Sequence, residues 1–234
     1  MQKFSLCFVK VKKDCLRFIQ SQETKADKFK NKERMIRSFL IPLCFWISKR
    51  ADKKRPYFVG LAGGQGTGKT TISSLIKIIL TKFFKLKVFR ISIDDFYKTR
   101  KERINLSKRV HPMLLTRGVP GTHDINLMLN FFRKVKRRKF KRLKLPTFNK
   151  AIDDRFNKKK WYDLKDRPDV IIFEGWCVGA KSENNNTLKK TINLMEKLDD
   201  KKQIWRKYVN QQLQSKYKNL YSQLNCLIYL KDVS

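Results

Sequence analysis

The sequence predicts an α/β fold: a mostly parallel sheet flanked by helices, with a helical extension in front of it. Three observations carry the prediction. The apolar run 57–62 passes directly into a glycine-rich loop and then into a segment with apolar residues at helical spacing. Three further apolar runs, 87–93, 169–173 and 225–230, have the length and content of buried strands. The segments between them carry helical periodicity, the order that arises when crossover helices join parallel strands.

The elements follow in order. Residues 1–55 are basic and read as a helical extension packed on the rest, with 56–234 as the main domain. Phe29, Ile36, Leu40, Leu43 and Ile47 recur every three or four residues, which suits one buried helix face. Residues 39–47 read as a core helix, with Pro42 opening a new helical segment. Residues 49–55 form a charged linker. After the glycine loop, Ile72, Leu75, Ile76, Ile79, Leu80 and Phe83 line one face of a helix. The second strand, 87–93, ends at Asp94-Asp95-Phe96-Tyr97.

A polar, basic stretch, 98–108, reads as a loop or short helix and leads to Arg117-Gly118-Val119-Pro120-Gly121-Thr122-His123-Asp124. Gly and Pro mark a turn there, and Thr122 or Asp124 is placed to cap the next helix, which carries Leu127, Met128, Phe131, Phe132 and Val135. That helix runs into a dense basic run, 133–139. Residues 145–150 are extended because the residue before Pro146 avoids the helical region. The strand 169–173 has Glu174 at its tip, followed by Gly175-Trp176-Cys177-Val178-Gly179. Residues 184–186 are a break. Leu188, Ile192 and Met195, then Trp205 to Leu224, read as long amphipathic helices before the last strand.

Length and composition bound the function. The chain has 234 residues, enough for one α/β domain with a full core, and is 41% hydrophobic and 32% charged, which excludes a disordered chain. Its net charge of +36 leaves three readings open: attraction for small anionic substrates, nucleic-acid binding, or a lysine-rich background. Five cysteines without C-x-x-C spacing and two histidines argue against a zinc site or a disulfide framework and point to a reducing, cytoplasmic setting. No signal peptide is visible, and residues 39–47 are too short to span a bilayer, so no membrane partner is expected.

The residues with chemistry cluster at the ends of the strands. Gly63-Gly64-Gln65-Gly66-Thr67-Gly68-Lys69-Thr70, followed by Thr71, contains G-x-x-x-x-G-K-T, the phosphate-binding loop pattern. Glycines let backbone N–H groups approach phosphate oxygens, and the following helix adds its dipole. Lys69 is placed to reach the outer phosphates, and the Thr70 hydroxyl to hold Mg2+. Ligand chemistry in open parallel sheets gathers beyond the carboxyl ends of strands, so Asp94, Asp95 and Glu174 are candidate site acids. Four apolar residues ending in Glu174 resemble a Walker B strand, whose acid holds Mg2+.

Taken together, GLAGGQGTGKTT, SIDDFYKTR, RGVPGTHD, LP-x-F-N-K with Asp154-Arg155 after it, and FEGWCVG resemble the D-glycerate 3-kinase-like family. Uridine kinases, phosphoribulokinases and pantothenate kinases are more distant relatives. The resemblance covers about residues 40–234 and implies the P-loop containing nucleoside triphosphate hydrolase fold. It implies an ATP-dependent kinase with Mg2+ that phosphorylates a hydroxyl of a small molecule, D-glycerate first. Other small-molecule kinase activity, a nucleic-acid-associated ATP-binding protein and a degenerate copy are the alternatives.

By that resemblance Asp94 is the catalytic base or a Mg2+ ligand. Asp95, Tyr97, Arg117, His123, Asp124, Lys150 and Arg155 face the acceptor or the transferred phosphate, and Glu174 is the Walker B-like acid. For a carboxylate-bearing acceptor, Arg117 and Arg155 are the candidates for two-point recognition. Two departures accompany it. The family has aspartate where this chain has Asn149, and its members continue past the fourth strand into a basic helix, a lid and a last strand, which implies a chain incomplete at its C-terminus.

Overall fold

The computed structural model describes residues 2–25, 28–52, 54–137 and 139–231. Lys53 of the expected linker, Arg138 of the basic run and residues 232–234 lie outside them. In chain order the elements are α1 (Gln2–Gln22), α2 (Lys32–Met35), a π-helical turn (Ile36–Leu40), α3 (Ile41–Arg50), β1 (Tyr57–Gly63), α4 (Lys69–Lys82), β2 (Val88–Ser92), α5 (Arg100–Arg109) and α6 (Ile125–Val135). They continue with β3 (Leu143–Leu145), β4 (Phe148–Asn149), β5 (Asp154–Arg155), β6 (Tyr162–Leu164), β7 (Val170–Gly175), α7 (Asn185–Lys189), α8 (Leu194–Asp199), α9 (Ile204–Gln212), α10 (Lys218–Tyr221) and β8 (Cys226–Leu230). Two compact units result: Met1–Ile91 with Arg167–Trp176 and Asn225–Ser234, and Ser92–Asp166 with Cys177–Leu224.

The first unit is built on a four-stranded sheet in the order β2-β7-β1-β8. β1 pairs in parallel with β7, Tyr57 opposite Val170, and with β8, Val59 opposite Cys226. β7 is buried along its whole length and β1 at all but its first residue, as expected for strands covered on both faces. β8 alternates between half-buried and exposed residues, as an edge strand does. In α1, Cys7, Val11, Cys15 and Ile19 recur every fourth residue and form a buried stripe. That stripe shares one core with Ile36, Leu40, Ile41, Cys44 and Ile47, with Leu75, Ile76, Ile79 and Leu80 of α4, and with strand residues Val59, Leu61 and Ile172.

Residues 39–47 pack on the core through Leu40, Ile41, Cys44 and Ile47, while Phe39, 64% exposed, and Trp46, 39% exposed, lie on the outer side. Pro42 stands in the first turn of α3, as expected; the π turn runs into it without a break, with the Ile41 N–H donating to the Ile36 carbonyl. Widening the turn there moves the backbone that the proline ring would otherwise meet.

In the second unit, α5 begins with a reciprocal capping box between Thr99 and Glu102. α6 begins at Asp124, whose carboxylate accepts from the Leu127 N–H. Its buried face is Ile125, Met128, Phe131, Phe132 and Val135. Two small antiparallel ribbons, β3 with β6 and β4 with β5, follow it. Leu106, Leu114 and Trp205 form a second core cluster. Residues 188–199 are corrected: instead of a long amphipathic helix they form the short α7 and α8, with Ile192 80% exposed and Met195 45%. Among the described residues no helix is long and apolar enough to cross a membrane, and all five cysteines are free.

Candidate functional site

The glycine loop is assembled in the first unit. Gly63 is the last residue of β1, and Lys69 is the first of α4. A side chain at Gly63 would put its Cβ 2.9 Å from the Leu230 carbonyl oxygen, so this position has no room for one. Gly68, which caps α4, has φ +77°, the left-handed conformation that favours glycine. Gly64, Gln65 and Gly66 are exposed, Thr67 and Gly68 half-buried. The Thr67 hydroxyl donates to the Gly64 carbonyl at 2.9 Å, and the Lys69 ammonium donates to the same oxygen. Thr70 begins the exposed side of α4, whereas Thr71 is buried on it.

Glu174 lies inside β7, opposite Leu61 of β1, rather than beyond the strand's tip, because the ladder extends to Gly175. It is only 8% exposed. Its Oε2 lies 2.6 Å from the Ser73 hydroxyl, and its Oε1 lies 3.5 Å from the Thr70 hydroxyl. The Ser73 hydroxyl also lies 3.1 Å from the Thr70 carbonyl, but it has one proton, and the shorter contact to a carboxylate is the stronger bond. Arg90 Nη2 stands 3.6 Å from Glu174 Oε1, while Arg90 Nη1 donates to the Ser74 hydroxyl at 2.5 Å. Ser73 and Arg90 were not found from the sequence. Ser73 sits at i+4 from Lys69 on the same helix, which was the available signal; Arg90 offered none.

The remaining predicted residues lie in the second unit. Asp94 belongs to a 3-10 turn, Ile93–Phe96, that follows β2, and its N–H donates to the Ser92 hydroxyl at 3.2 Å. Lys150 donates to Asp94 Oδ2 at 2.9 Å, and its side chain is 64% exposed. Tyr97 is buried; burial, then the charge and hydrogen bond of Asp94, push its phenol far above the ordinary range. Asp95 turns to the backbone instead: its Oδ1 accepts from the Phe148 N–H at 3.5 Å.

Arg155 donates from Nε to the Tyr97 carbonyl at 2.6 Å and from Nη2 to Asp124 at 3.1 Å, with its side chain 11% exposed. Arg117 is paired with Asp153. Arg103, fully buried, approaches the same carboxylate at 2.9 Å and also donates to the Leu115 and Asp153 carbonyls. Burial alone would raise the Asp153 carboxyl, but the hydrogen bonds and charges of Arg103 and Arg117 outweigh it and hold it below its usual value. Both arginines expected to grip an acceptor are therefore already engaged by acids or carbonyls of the chain.

His123 is 1% exposed and stacks on Tyr97, ring centroids 4.4 Å apart. Its Nδ1 lies 2.7 Å from the Tyr217 hydroxyl, which also accepts from the Gly121 N–H at 2.8 Å. Burial lowers the imidazole to about 3, against the opposing pull of Asp94. Sequence reasoning missed Arg103, Asp153 and Tyr217. Their partners are far away along the chain, and no local pattern marks them.

No family model matches the chain. An uncharacterized kinase of Schizosaccharomyces pombe is 32% identical over 132 residues, covering 53% of this chain and 47% of that protein. The chloroplastic D-glycerate 3-kinase of Arabidopsis thaliana is 27% identical over 194 residues, 74% of this chain and 42% of that protein. The solved D-glycerate 3-kinase from Cryptococcus neoformans superposes with a TM-score of 0.68 at 26% identity, covering 83% of this chain and 72% of its own. The chain spans about half the length of the curated relatives named here. The architecture is the α/β P-loop fold shared with these kinases.

Proposed function

We propose, from the chain's kinship with the D-glycerate 3-kinases among the P-loop kinases, that it belongs to an ATP-dependent kinase. The reaction is transfer of the γ-phosphoryl group to a hydroxyl of a small acidic acceptor, with D-glycerate as the leading candidate. The observation that carries the reading is the phosphate loop between β1 and α4 with the Glu174 carboxylate 3.5 Å from the Thr70 hydroxyl. Hard oxygen ligands of this type suit Mg2+, and Thr70 with Glu174 would hold it. The ion, when bound, neutralises charge on the phosphate oxygens.

The chain's own groups take the other roles. Backbone N–H groups of Gly64 to Thr71 bind phosphate oxygens, and Lys69 exchanges its contact with the Gly64 carbonyl for the outer phosphates. Asp94 orients the acceptor hydroxyl and takes its proton as the new O–P bond forms. Lys150, largely exposed beside Asp94, is the available cation for the acceptor's acid group or the transferred phosphate. Arg155 holds the Tyr97 carbonyl and Asp124 in place. Five free cysteines support a reducing, cytoplasmic setting.

The test is nucleotide consumption with D-glycerate, uridine, pantothenate and ribulose 5-phosphate as acceptors. D-Glycerate should be phosphorylated and Lys69→Ala should abolish turnover. Turnover with none of the four, in the full-length protein, overturns the reading.

A further inference from the structure

We propose that Arg90 is a resident counter-ion of Glu174, placed beside the one carboxylate oxygen left for a metal ion, and that its charge limits how tightly that ion is held. This rests on the proposed Mg2+ site at Thr70 and Glu174 and on nothing about the acceptor. The two oxygens of Glu174 have different partners. Oε2 accepts from the Ser73 hydroxyl at 2.6 Å. Oε1 faces the Thr70 hydroxyl at 3.5 Å and Arg90 Nη2 at 3.6 Å. The oxygen that a metal ion would share with Thr70 is therefore the same one that Arg90 attends. At 3.6 Å the contact is an attraction between charges rather than a full hydrogen bond, so it yields to a stronger cation with no bond to break.

Arg90 is itself tethered. It lies on β2, and its Nη1 donates to the Ser74 hydroxyl at 2.5 Å. Ser74 donates in turn to the Thr70 carbonyl at 2.7 Å. Arg90 Nε is buried and has no hydrogen-bond partner among the described residues, and the side chain as a whole is 25% exposed. The guanidinium is thus anchored at Ser74 and drawn to Glu174, on the same turn of α4 that carries Thr70.

A cation fixed this close to the carboxylate has two opposite effects. Without metal it offsets the cost of burying a carboxylate that is only 8% exposed. With metal it repels the incoming ion and draws on the same oxygen. Removing the charge should therefore destabilise the metal-free chain and tighten metal binding. Ser73 still holds Oε2 when Arg90 is replaced, so the carboxylate keeps one anchor. A residue that only shaped the site would give the opposite sign, because its loss would weaken metal binding.

Mn2+ and ADP serve as probes, with no acceptor present. The measured quantity is the factor by which saturating Mn2+, against EDTA, strengthens ADP binding to the full chain in calorimetry. Arg90→Met should raise that factor about fivefold or more. Its urea midpoint in EDTA should fall, and Mn2+ should restore more of it than in the unaltered chain. Arg90→Gln keeps a donor for Ser74 but loses the charge, so it should raise the factor likewise, and it carries the test if Arg90→Met does not fold. Arg90→Lys keeps the charge and should stay within about threefold of the unaltered chain. Glu174→Gln should lower the factor. If Mn2+ does not strengthen ADP binding in the unaltered chain, or Glu174→Gln leaves the factor unchanged, the Mg2+ site itself is wrong and the role of Arg90 falls with it. If both hold and the neutral Arg90 variants leave the factor unchanged or lower it, or Arg90→Lys raises it as they do, the role of Arg90 alone is overturned.

Discussion

The Ser73 hydroxyl donates to Glu174 Oε2 at 2.6 Å, tying the first turns of α4 to the carboxyl end of β7. Ser73→Ala leaves a carboxylate that is 8% exposed with the Thr70 hydroxyl at 3.5 Å and Arg90 at 3.6 Å as its remaining polar neighbours. Losing a hydrogen bond to a buried charged group costs about 1.5–3 kcal/mol. The midpoint of urea unfolding should fall accordingly, and the Mg2+ concentration needed for half-maximal turnover should rise, because Glu174 is no longer held beside Thr70.

Asp94→Asn removes the proposed base while keeping shape and leaves Lys150 a neutral partner. General-base contributions run to about 10²–10⁴-fold. Steady-state kinetics should show a kcat loss in that range, with ATP affinity, measured separately by calorimetry, changed less than about threefold. A kcat near that of the unaltered protein would remove Asp94 from the role.

Gly121→Ala should be strongly destabilising. Gly121 has φ +104°, and an added Cβ would lie 2.5 Å from Cε1 of the Tyr208 ring. The left-handed backbone alone costs about 1–2 kcal/mol for a residue with a Cβ, and the ring must also shift. Chemical denaturation should report a loss of about 2 kcal/mol or more.

His123 gives stability a pH dependence of definite sign. Its pKa is about 3 in the folded chain against an ordinary 6.5. Between these values the unfolded chain binds the extra proton, so stability rises with pH and is lost as pH falls from 6.5 toward 3. The slope approaches about 1.4 kcal/mol per pH unit for one proton. His123→Asn removes this contribution. The stability difference between the two chains, from urea unfolding at pH 7.5, 6.0 and 5.0, should shrink as pH falls; a constant difference contradicts the assignment.

The sheet was legible because β1, β7 and β8 rest on near-continuous apolar runs, and the phosphate loop because its glycines, Lys69 and Thr70 lie close together in sequence. The cap of α6 was legible only as Thr122 or Asp124, and the structure has it at Asp124. The stripe Cys7-Val11-Cys15-Ile19 has a clear four-residue period, but cysteines weighed for redox chemistry hid two of its members. Ile192 and Met195 misled in the opposite direction: their spacing is helical, yet no element of the chain covers them. The engagements of Arg117 and Arg155 could not be read at all. They depend on Asp153 and Asp124, 36 and 31 residues away, and on turns whose closure no local pattern encodes.

The pairing of β1 also sets the order in which the chain can fold. Its neighbours on both sides come much later in the sequence: β7 opposite Tyr57 at Val170, and β8, where the Asn225 side chain accepts from the Phe58 N–H across 167 residues. During synthesis this buried strand emerges before either partner and waits with both edges open. Long-range closure of this kind slows folding, and an unpaired apolar edge invites association with other chains. The basic helices already made ahead of β1 give each nascent chain a like charge, which repels its neighbours until the sheet closes.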